Sequence, residues 1–233
     1  MSLLQTSVRK FRNPVAENRL FVSVEASFAS AWLVPKLEGF RARHPEVTVL
    51  IDSNQSIVDL GRGDIDVAIR YGVGSPGDLV VHRLFEDEIF PVCSPTLAYG
   101  SPPLETLSDL ARVPLIHWDI SQLSWAAATR RWFTWESWLN AVGAPHLMTK
   151  QGLIFSEYGQ AVQAAIAGQG VMLASWPILR EPIEAGVLVA PFSERVTTDI
   201  GYELVTAPET MARPEVTAFV DWVLETAKEP QGT

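Results

Sequence analysis

The sequence predicts an α/β protein of two lobes, in which the second lobe interrupts the first. Residues 20–70 alternate in the order β-α-β-α-β, which is typical of a parallel sheet covered by helices. A second copy of the strand-turn-helix pattern begins near residue 153. Two proline-bearing segments, at Pro91 and within 191–198, suit chain crossings between the lobes because proline is excluded from central strand positions.

The first strand-turn-helix unit occupies residues 20–47. A β-branched and aromatic run at 20–24 predicts a strand, and Leu33, Leu37 and Phe40 follow at helical spacing. Ser27 stands where a helix N-cap is expected, and Pro45 stops the helix. Open α/β sheets bind small ligands at the carboxyl ends of such strands. A serine here is also an ordinary cap, so both roles stay open.

The remaining elements follow from the same periodicities. In the first lobe we expect strands at 47–52, 65–70, 80–84 and 200–205, a short helix from Ser56, and a closing helix at 214–227. In the second we expect strands at 89–93, 115–118, 153–155, 171–174 and 187–189, helices at 104–110, 132–141, 158–167 and 176–179, and a loop at 119–130. Ser156 takes the N-cap position of the helix at 158–167.

Composition excludes several classes of protein. The 233 residues carry a formal net charge of −9, whereas binding to nucleic acid needs clustered Lys and Arg. The single cysteine excludes a disulfide framework and suits a reducing, cytoplasmic compartment. The sequence has no apolar run of about 18 residues to span a membrane. Its first residues also lack the apolar segment of a signal peptide.

Motifs of catalysis and of cofactor binding are absent. The sequence has no G-x-S-x-G elbow, no H-E-x-x-H pair and no phosphate loop ending in Gly-Lys. Its four histidines are scattered, which disfavours a zinc site. Cys93 lies in a predicted strand with no histidine near it, so a buried small side chain is expected rather than a nucleophile. We therefore expect a binding protein without a cofactor or metal, and no enzyme.

Several stretches resemble the effector-binding domain of LysR-type transcriptional regulators, in particular the branch of the glycine-cleavage activator. The matching stretches are VSVEASFASAWLVPKLEGFRARHPEV, DLGRGDIDVAIRYG, FPVCSPTL, and AVQAAIAGQGVMLA with AGVLVAPF. They cover most of residues 20–192 in the family's order and spacing.

The resemblance implies two Rossmann-like lobes joined by two crossover strands, a fold like that of type 2 periplasmic binding proteins. It places lobe I at 20–90 and 198–228 and lobe II at 91–197, with 1–19 as a lead-in and the remnant of a linker helix. The family's winged helix-turn-helix does not fit ahead of Leu20, so the chain resembles the sensor half of a regulator. The alternative is a solute-binding receptor of a transport system, because that fold is shared.

The resemblance also implies a small-molecule effector held in a cleft between the lobes. The helix N-termini after Ser27 and Ser156 suit a carboxylate, so we expect a carboxylate or amino-acid-like effector. The positions that match the family's cleft, for each of which ordinary capping or packing is an equal alternative, are Ser27, Phe28, Asn54, Gln55, Tyr71, Phe155 and Ser156.

Two features leave alternatives open. Glu25 departs from the uncharged residue expected in this branch; we expect it to point to solvent, although in the cleft it would favour a ligand that carries an amine. Five tryptophans predict either a second-lobe core with a loop lid or an aromatic wall for an effector. They are Trp118, Trp125, Trp132, Trp135 and Trp138.

The resemblance further implies a homodimer, with a dimer or a tetramer as the alternatives for the full-length protein. Family members pair the first helix of lobe I, here 31–43, with the helix of lobe II from a neighbour, here 158–167. Small side chains such as Ala161 and Ala164 would let two helices approach closely. The same alanines would equally pack against their own sheet. DNA would be bound only through the N-terminal domain of the family, and a membrane is not an expected partner.

Overall fold

The computed structural model describes residues 18–53, 65–72, 77–120, 132–147 and 152–228. It divides into two compact units. The first unit holds the chain up to Leu84 and again from Tyr202, and the second holds residues 85–201. The chain thus leaves the first unit once and returns to it once. The lobe boundaries expected from sequence were 90/91 and 197/198.

Strands and helices alternate through most of the described chain. The strands are β1 (Arg19–Val24), β2 (Thr48–Ser53), β3 (Val67–Tyr71), β4 (Val80–Arg83), β5 (Glu88–Val92), β6 (Leu115–Trp118), β7 (Gly152–Phe155), β8 (Val171–Ser175), β9 (Val196–Thr197) and β10 (Tyr202–Thr206). The α-helices are α1 (Ala26–Phe28), α2 (Val34–Arg43), α3 (Pro95–Ala98), α4 (Trp135–Ala141), α5 (Tyr158–Ile166), α6 (Trp176–Glu184) and α7 (Pro214–Lys228). A π-helical stretch, Ala29–Leu33, joins α1 to α2, and 3₁₀ turns lie at Leu107–Arg112, Pro145–Leu147 and Thr210–Ala212.

Each unit contains one five-stranded sheet, and the two sheets have matching orders. The first is β2-β1-β3-β10-β4 and the second is β7-β6-β8-β5-β9. In each, an opening strand lies between two parallel neighbours, β1 between β2 and β3, and β6 between β7 and β8. The fourth strand of each sheet is antiparallel to its neighbour in the third position; it is β10 in the first sheet and β5 in the second. Each of these strands is the first one after the chain passes from one unit to the other. The repeated pattern seen in the sequence is therefore a repeated sheet topology.

Pro91 lies in β5, which has a partner strand on both sides. On one side it pairs with Leu173 of β8, but on the other side β9 pairs only with Glu88 and Ile89. Proline has no N–H to donate, so it is tolerated where the outer neighbour has already ended.

In the second unit, the expectations of a strand at 187–189 and of Ser156 as a helix N-cap were wrong. The segment 187–189 contributes a single bridge, between Val189 and Cys93, rather than a strand. Glu157, whose backbone is extended, is the N-cap of α5, and Ser156 precedes it. Cap choice depends on which of two neighbouring polar residues has the extended backbone, and periodicity does not encode that.

The tryptophans of α4 belong to the core of the second unit. Trp135 and Trp138 are buried, and their indole N–H groups donate to the carbonyl oxygens of Ile116 (3.0 Å) and Ile89 (2.9 Å). Each large apolar ring is thus buried with its one polar atom satisfied. Trp125 lies outside the described residues.

Candidate functional site

A cluster of polar and charged side chains lies at the carboxyl end of β1. Ser23 pairs with Asp52 on one side and with Ala68 on the other. Because side chains alternate along a strand, Arg70, two residues after Ala68, lies on the same face as Ser23 and Asp52. The guanidinium of Arg70 donates to the Ser23 hydroxyl (2.6 Å) and to the Ile69 carbonyl (2.9 Å).

Glu25 follows directly after β1 and is buried, with 1% of its surface exposed. Its carboxylate accepts hydrogen bonds from the hydroxyls of Ser27 and of Tyr202, the latter at 3.2 Å. The expectation that Glu25 points to solvent was therefore wrong. A buried carboxylate is stable only where donors and positive charge replace water, and this cluster supplies both.

Arg70 provides the positive charge. Burial lowers the pKa of Arg70 to about 10, while the nearby negative charges of Glu25 and Asp52 oppose that shift. At this pKa the guanidinium stays protonated at neutral pH. The negative charges of Glu25 and Asp52 and the positive charge of Arg70 attract one another.

Ser27 is not the helix N-cap that the sequence predicted. Glu25 holds that position, with an extended backbone (φ −64°, ψ 137°), and its carbonyl accepts from the amide of Ala29 (2.9 Å). Ser27 lies inside the first turn, is buried, and donates its hydroxyl proton to Glu25. The serine predicted to bind a ligand is thus held by a neighbouring carboxylate.

Aromatic rings contact one another next to this cluster, which they meet at Tyr202. The ring of Phe28 lies 4.5 Å from that of Tyr202 and 5.1 Å from that of Trp32, and Tyr71 lies 5.0 Å from Tyr202. Phe28 and Tyr71, both predicted as ligand contacts, are buried at 0% and 1% exposure. In this structure both rings contact Tyr202, whose hydroxyl donates to Glu25.

The candidate residues of the second unit lie at the end of β7, where Phe155 is the last residue of the strand and Ser156 follows it. Phe155 pairs with Trp118 across the parallel β6–β7 ladder and is half-buried, while Ser156 is exposed. The carbonyls of Phe155 and Ser156 accept from the Asp119 amide (2.7 Å) and the Trp118 indole (3.3 Å). These bonds fix the backbone of this turn. Asn54 and Gln55, the other two candidates, lie outside the described residues.

The comparisons with known proteins agree on one family. The profile described as "LysR substrate binding domain" matches residues 15–228. This chain belongs to that family. It is the effector-binding domain of a LysR-type regulator, and its fold is that of the type 2 periplasmic binding proteins.

The relatives of this LysR domain are transcriptional regulators, not enzymes. The glycine cleavage system transcriptional activator of Escherichia coli K12 is 37% identical over 230 residues, which are 99% of this chain and 72% of the relative. The E. coli K12 regulator DsdC is 28% identical over 228 residues, which are 98% of this chain and 72% of DsdC. The effector domain of AmpR from Pseudomonas aeruginosa is similar in structure, with a TM-score of 0.73 and 27% identity over 91% of this chain and 96% of that one.

Elsewhere in the LysR domain, Cys93 is buried, as expected for a small side chain in a strand. Burial raises the pKa of its thiol to about 12, so the thiolate is scarce at neutral pH. Within the described ranges, no three His, Cys, Asp or Glu side chains are grouped so that they could hold a metal ion. Nor is any helix of those ranges long and apolar enough to cross a membrane.

A small cavity lies inside the second unit of the LysR domain. It has a volume of about 50 Å³, and its lining includes His117, Trp118, Phe133, Thr134 and Trp135. Burial lowers the pKa of His117. Trp118, which lines this cavity, also donates its indole N–H to the carbonyl of Ser156 in the candidate turn.

Sequence reasoning missed four members of the cluster in the first unit, which are Ser23, Asp52, Arg70 and Tyr202. Tyr202 reaches Glu25 from a strand 177 residues away, and no local pattern indicates such a contact. Arg70 carried a signal: an arginine in the otherwise apolar strand VAIRY must find partners if the strand is buried.

Proposed function

We propose that this LysR domain binds a carboxylate or amino-acid-like effector through residues of both units. In the first unit the proposed contacts are Ser27, Phe28, Asn54, Gln55 and Tyr71. In the second unit they are Phe155 and Ser156. The observation that carries the proposal is the buried network of Glu25, Ser27 and Arg70 at the carboxyl end of β1, the edge at which open α/β sheets hold small ligands.

Replacement of the two serines tests the proposal. A screen of small carboxylates and amino acids by thermal shift identifies a ligand, and calorimetry then measures its affinity for Ser27→Ala and Ser156→Ala. Each variant should lose about 1–3 kcal/mol of binding free energy through a lost hydrogen bond to a charged group. Ser108→Ala, at an exposed serine of a 3₁₀ turn, is the control. If both variants bind as the wild type does, the site lies elsewhere.

We further propose that the domain forms a homodimer through α2 and the β7–α5 edge, and that the full-length regulator is a dimer or tetramer. Val34 at the start of α2 is 53% exposed, and Ile154 on the edge strand β7 is 71% exposed. Large apolar side chains in these positions suit a self-complementary contact. Ala161 and Ala164 are buried in their own unit, so close approach of alanines is not the basis of the contact.

Sedimentation equilibrium tests the dimer. Ile154→Glu should weaken self-association, whereas Val187→Glu, at an exposed valine of the same unit, should not. A wild-type domain that stays monomeric at the highest concentration would rule the dimer out. The relatives are regulators of transcription. We propose that this protein also acts on transcription, that it does so in the cytoplasm, and that it contacts DNA through another part of the regulator.

A further inference from the structure

The hydrogen bond between Ser27 and Glu25 determines which kind of group Ser27 can offer to a ligand. A hydroxyl has one proton to donate and two lone pairs that accept. An ionised carboxylate can only accept, so in this pair the serine proton points to Glu25. Towards a ligand, the Ser27 hydroxyl can therefore only accept a hydrogen bond through its oxygen.

Two features keep the pair in that state. The Tyr202 hydroxyl donates to the second carboxylate oxygen of Glu25, and Arg70 adds an attractive positive charge. To donate to a ligand carboxylate, Ser27 would have to withdraw its proton from a carboxylate that is 1% exposed, where water cannot replace the lost donor. That exchange is unfavourable.

The charges of the cluster act in the same direction. Glu25 and Asp52 are two carboxylates, and the negative charges of both act on the guanidinium of Arg70. The sum over these three groups is negative. An approaching anion is repelled by that excess and a cation is attracted to it, most strongly where water is scarce.

We infer that Ser27 accepts a hydrogen bond from an N–H group of the effector, an ammonium in an amino-acid-like ligand, and that Glu25 is the positioning residue that imposes this selectivity. The inference rests on the proposed function and narrows it, because a simple carboxylate would no longer suffice. The ligand's carboxylate then has to be held by other groups of the site.

Matched ligand pairs test the inference. Each pair has the same carbon skeleton with and without the amine: alanine and propionate, aspartate and succinate, serine and 3-hydroxypropionate. Both enantiomers of each amino acid are used, and affinities are measured by calorimetry on the intact chain. The wild type should bind the aminated member of at least one pair about 10- to 100-fold more tightly, the range expected for a hydrogen bond to a charged group.

Two variants then identify the source of the selectivity. In Glu25→Gln the amide can donate to Ser27, which frees the serine proton, so the affinity ratio within that pair should fall at least about tenfold. Ser27→Ala should lower the ratio as well, and Glu38→Gln, at an exposed glutamate, should leave it unchanged. The ratio compares the affinities of two ligands for the same protein. If a variant is only partly folded, both apparent affinities fall by the same factor, so the ratio does not change.

The possible results separate the inference from the proposed function. Equal binding of aminated and deaminated ligands by the wild type overturns the inference and leaves the proposed function standing. A ratio that neither Glu25→Gln nor Ser27→Ala changes does the same, since the selectivity would then arise elsewhere. If no compound of either series binds, both the inference and the proposed function are wrong.

Discussion

Arg213 joins three segments of the first unit, and its replacement should destabilise that unit. Its guanidinium donates to the carboxylate of Asp66, to the carbonyl of Arg19 (2.6 Å) and to Glu215 (2.6 Å). Asp66 in turn accepts from the Phe21 amide (2.9 Å). The starts of β1 and α7 and the residue preceding β3 are thereby held together.

The size of the effect follows from burial. Breaking a fully buried ion pair costs about 3–5 kcal/mol, and an exposed pair is worth about 0–1 kcal/mol. The side chain of Arg213 is 40% exposed, but those of Asp66 and Glu215 are only 5% and 13% exposed. We therefore expect Arg213→Met, which keeps the apolar stem, to cost about 2–3 kcal/mol, or about 4–12 °C in the melting temperature of a two-state domain of this size.

Urea unfolding and calorimetry measure this loss. Arg41→Met is the control, because Arg41 and its partner Glu38 are 71% and 78% exposed, and it should cost less than about 0.5 kcal/mol. An Arg213→Met variant no less stable than the control would refute the reasoning. A double-mutant cycle with Asp66→Asn should show coupling of about 1–3 kcal/mol.

The same cluster predicts a dependence on pH. The pKa of Glu215 is lowered: burial raises it, but hydrogen bonds from its backbone and from Arg213 lower it more. A carboxylate with a lowered folded-state pKa contributes stability above its ordinary value of 4.5, and that stability is lost as pH falls through the folded-state pKa. The difference between wild type and Arg213→Met should therefore shrink in acid.

Three further predictions concern the second unit. Asp87→Ala removes the buried acceptor of the Ser175 hydroxyl (2.6 Å) and the Trp176 amide (3.0 Å), and should cost about 2–4 kcal/mol, seen as faster hydrogen exchange at the start of α6. Because the pKa of His117 is lowered in the folded state, the unfolded chain binds the proton more readily, and the free energy of unfolding should fall as pH drops below about 6.5. In His117→Gln this pH-dependent loss of stability should be smaller. A variant whose stability depends on pH as that of the wild type does would contradict the prediction. Cys93 should react with a thiol reagent at mildly alkaline pH only at the rate at which the unit opens, so denaturant should accelerate labelling strongly.

The parallel part of each sheet could be predicted from sequence because local patterns encode it. Two apolar strands connected by a segment with helical periodicity are expected to pair in parallel. The strands predicted at 20–24 and 115–118 agree with β1 and β6 to within one residue. The strand β9 was missed, because its two residues, Val196 and Thr197, are too few to show an alternating apolar and polar pattern. It forms a strand through its pairing with β5.

The site was only partly predictable, for a physical reason. Ser27 was identified as a polar residue at a strand end, but its partners decide its role, and one of them is Glu25, expected in solvent. A glutamate is exposed unless it is paired, and its partners Tyr202 and Arg70 lie far away in sequence. Long-range pairing of this kind has no signal in a single sequence.

The position of β10 has a consequence for the order in which the chain folds as it is synthesised. The strand lies between β3 and β4, yet it begins 118 residues after the first unit's own chain is interrupted at Leu84. While residues 85–201 leave the ribosome, the first sheet lacks an inner strand, and β4 has no neighbour with which to pair. The second unit is continuous in sequence, so all five strands of its sheet are available as soon as it has been synthesised. It should therefore fold before the first unit. During that interval the exposed edges of β3 and β4 are open to other unfinished chains, which makes synthesis rather than the mature protein the stage most prone to aggregation.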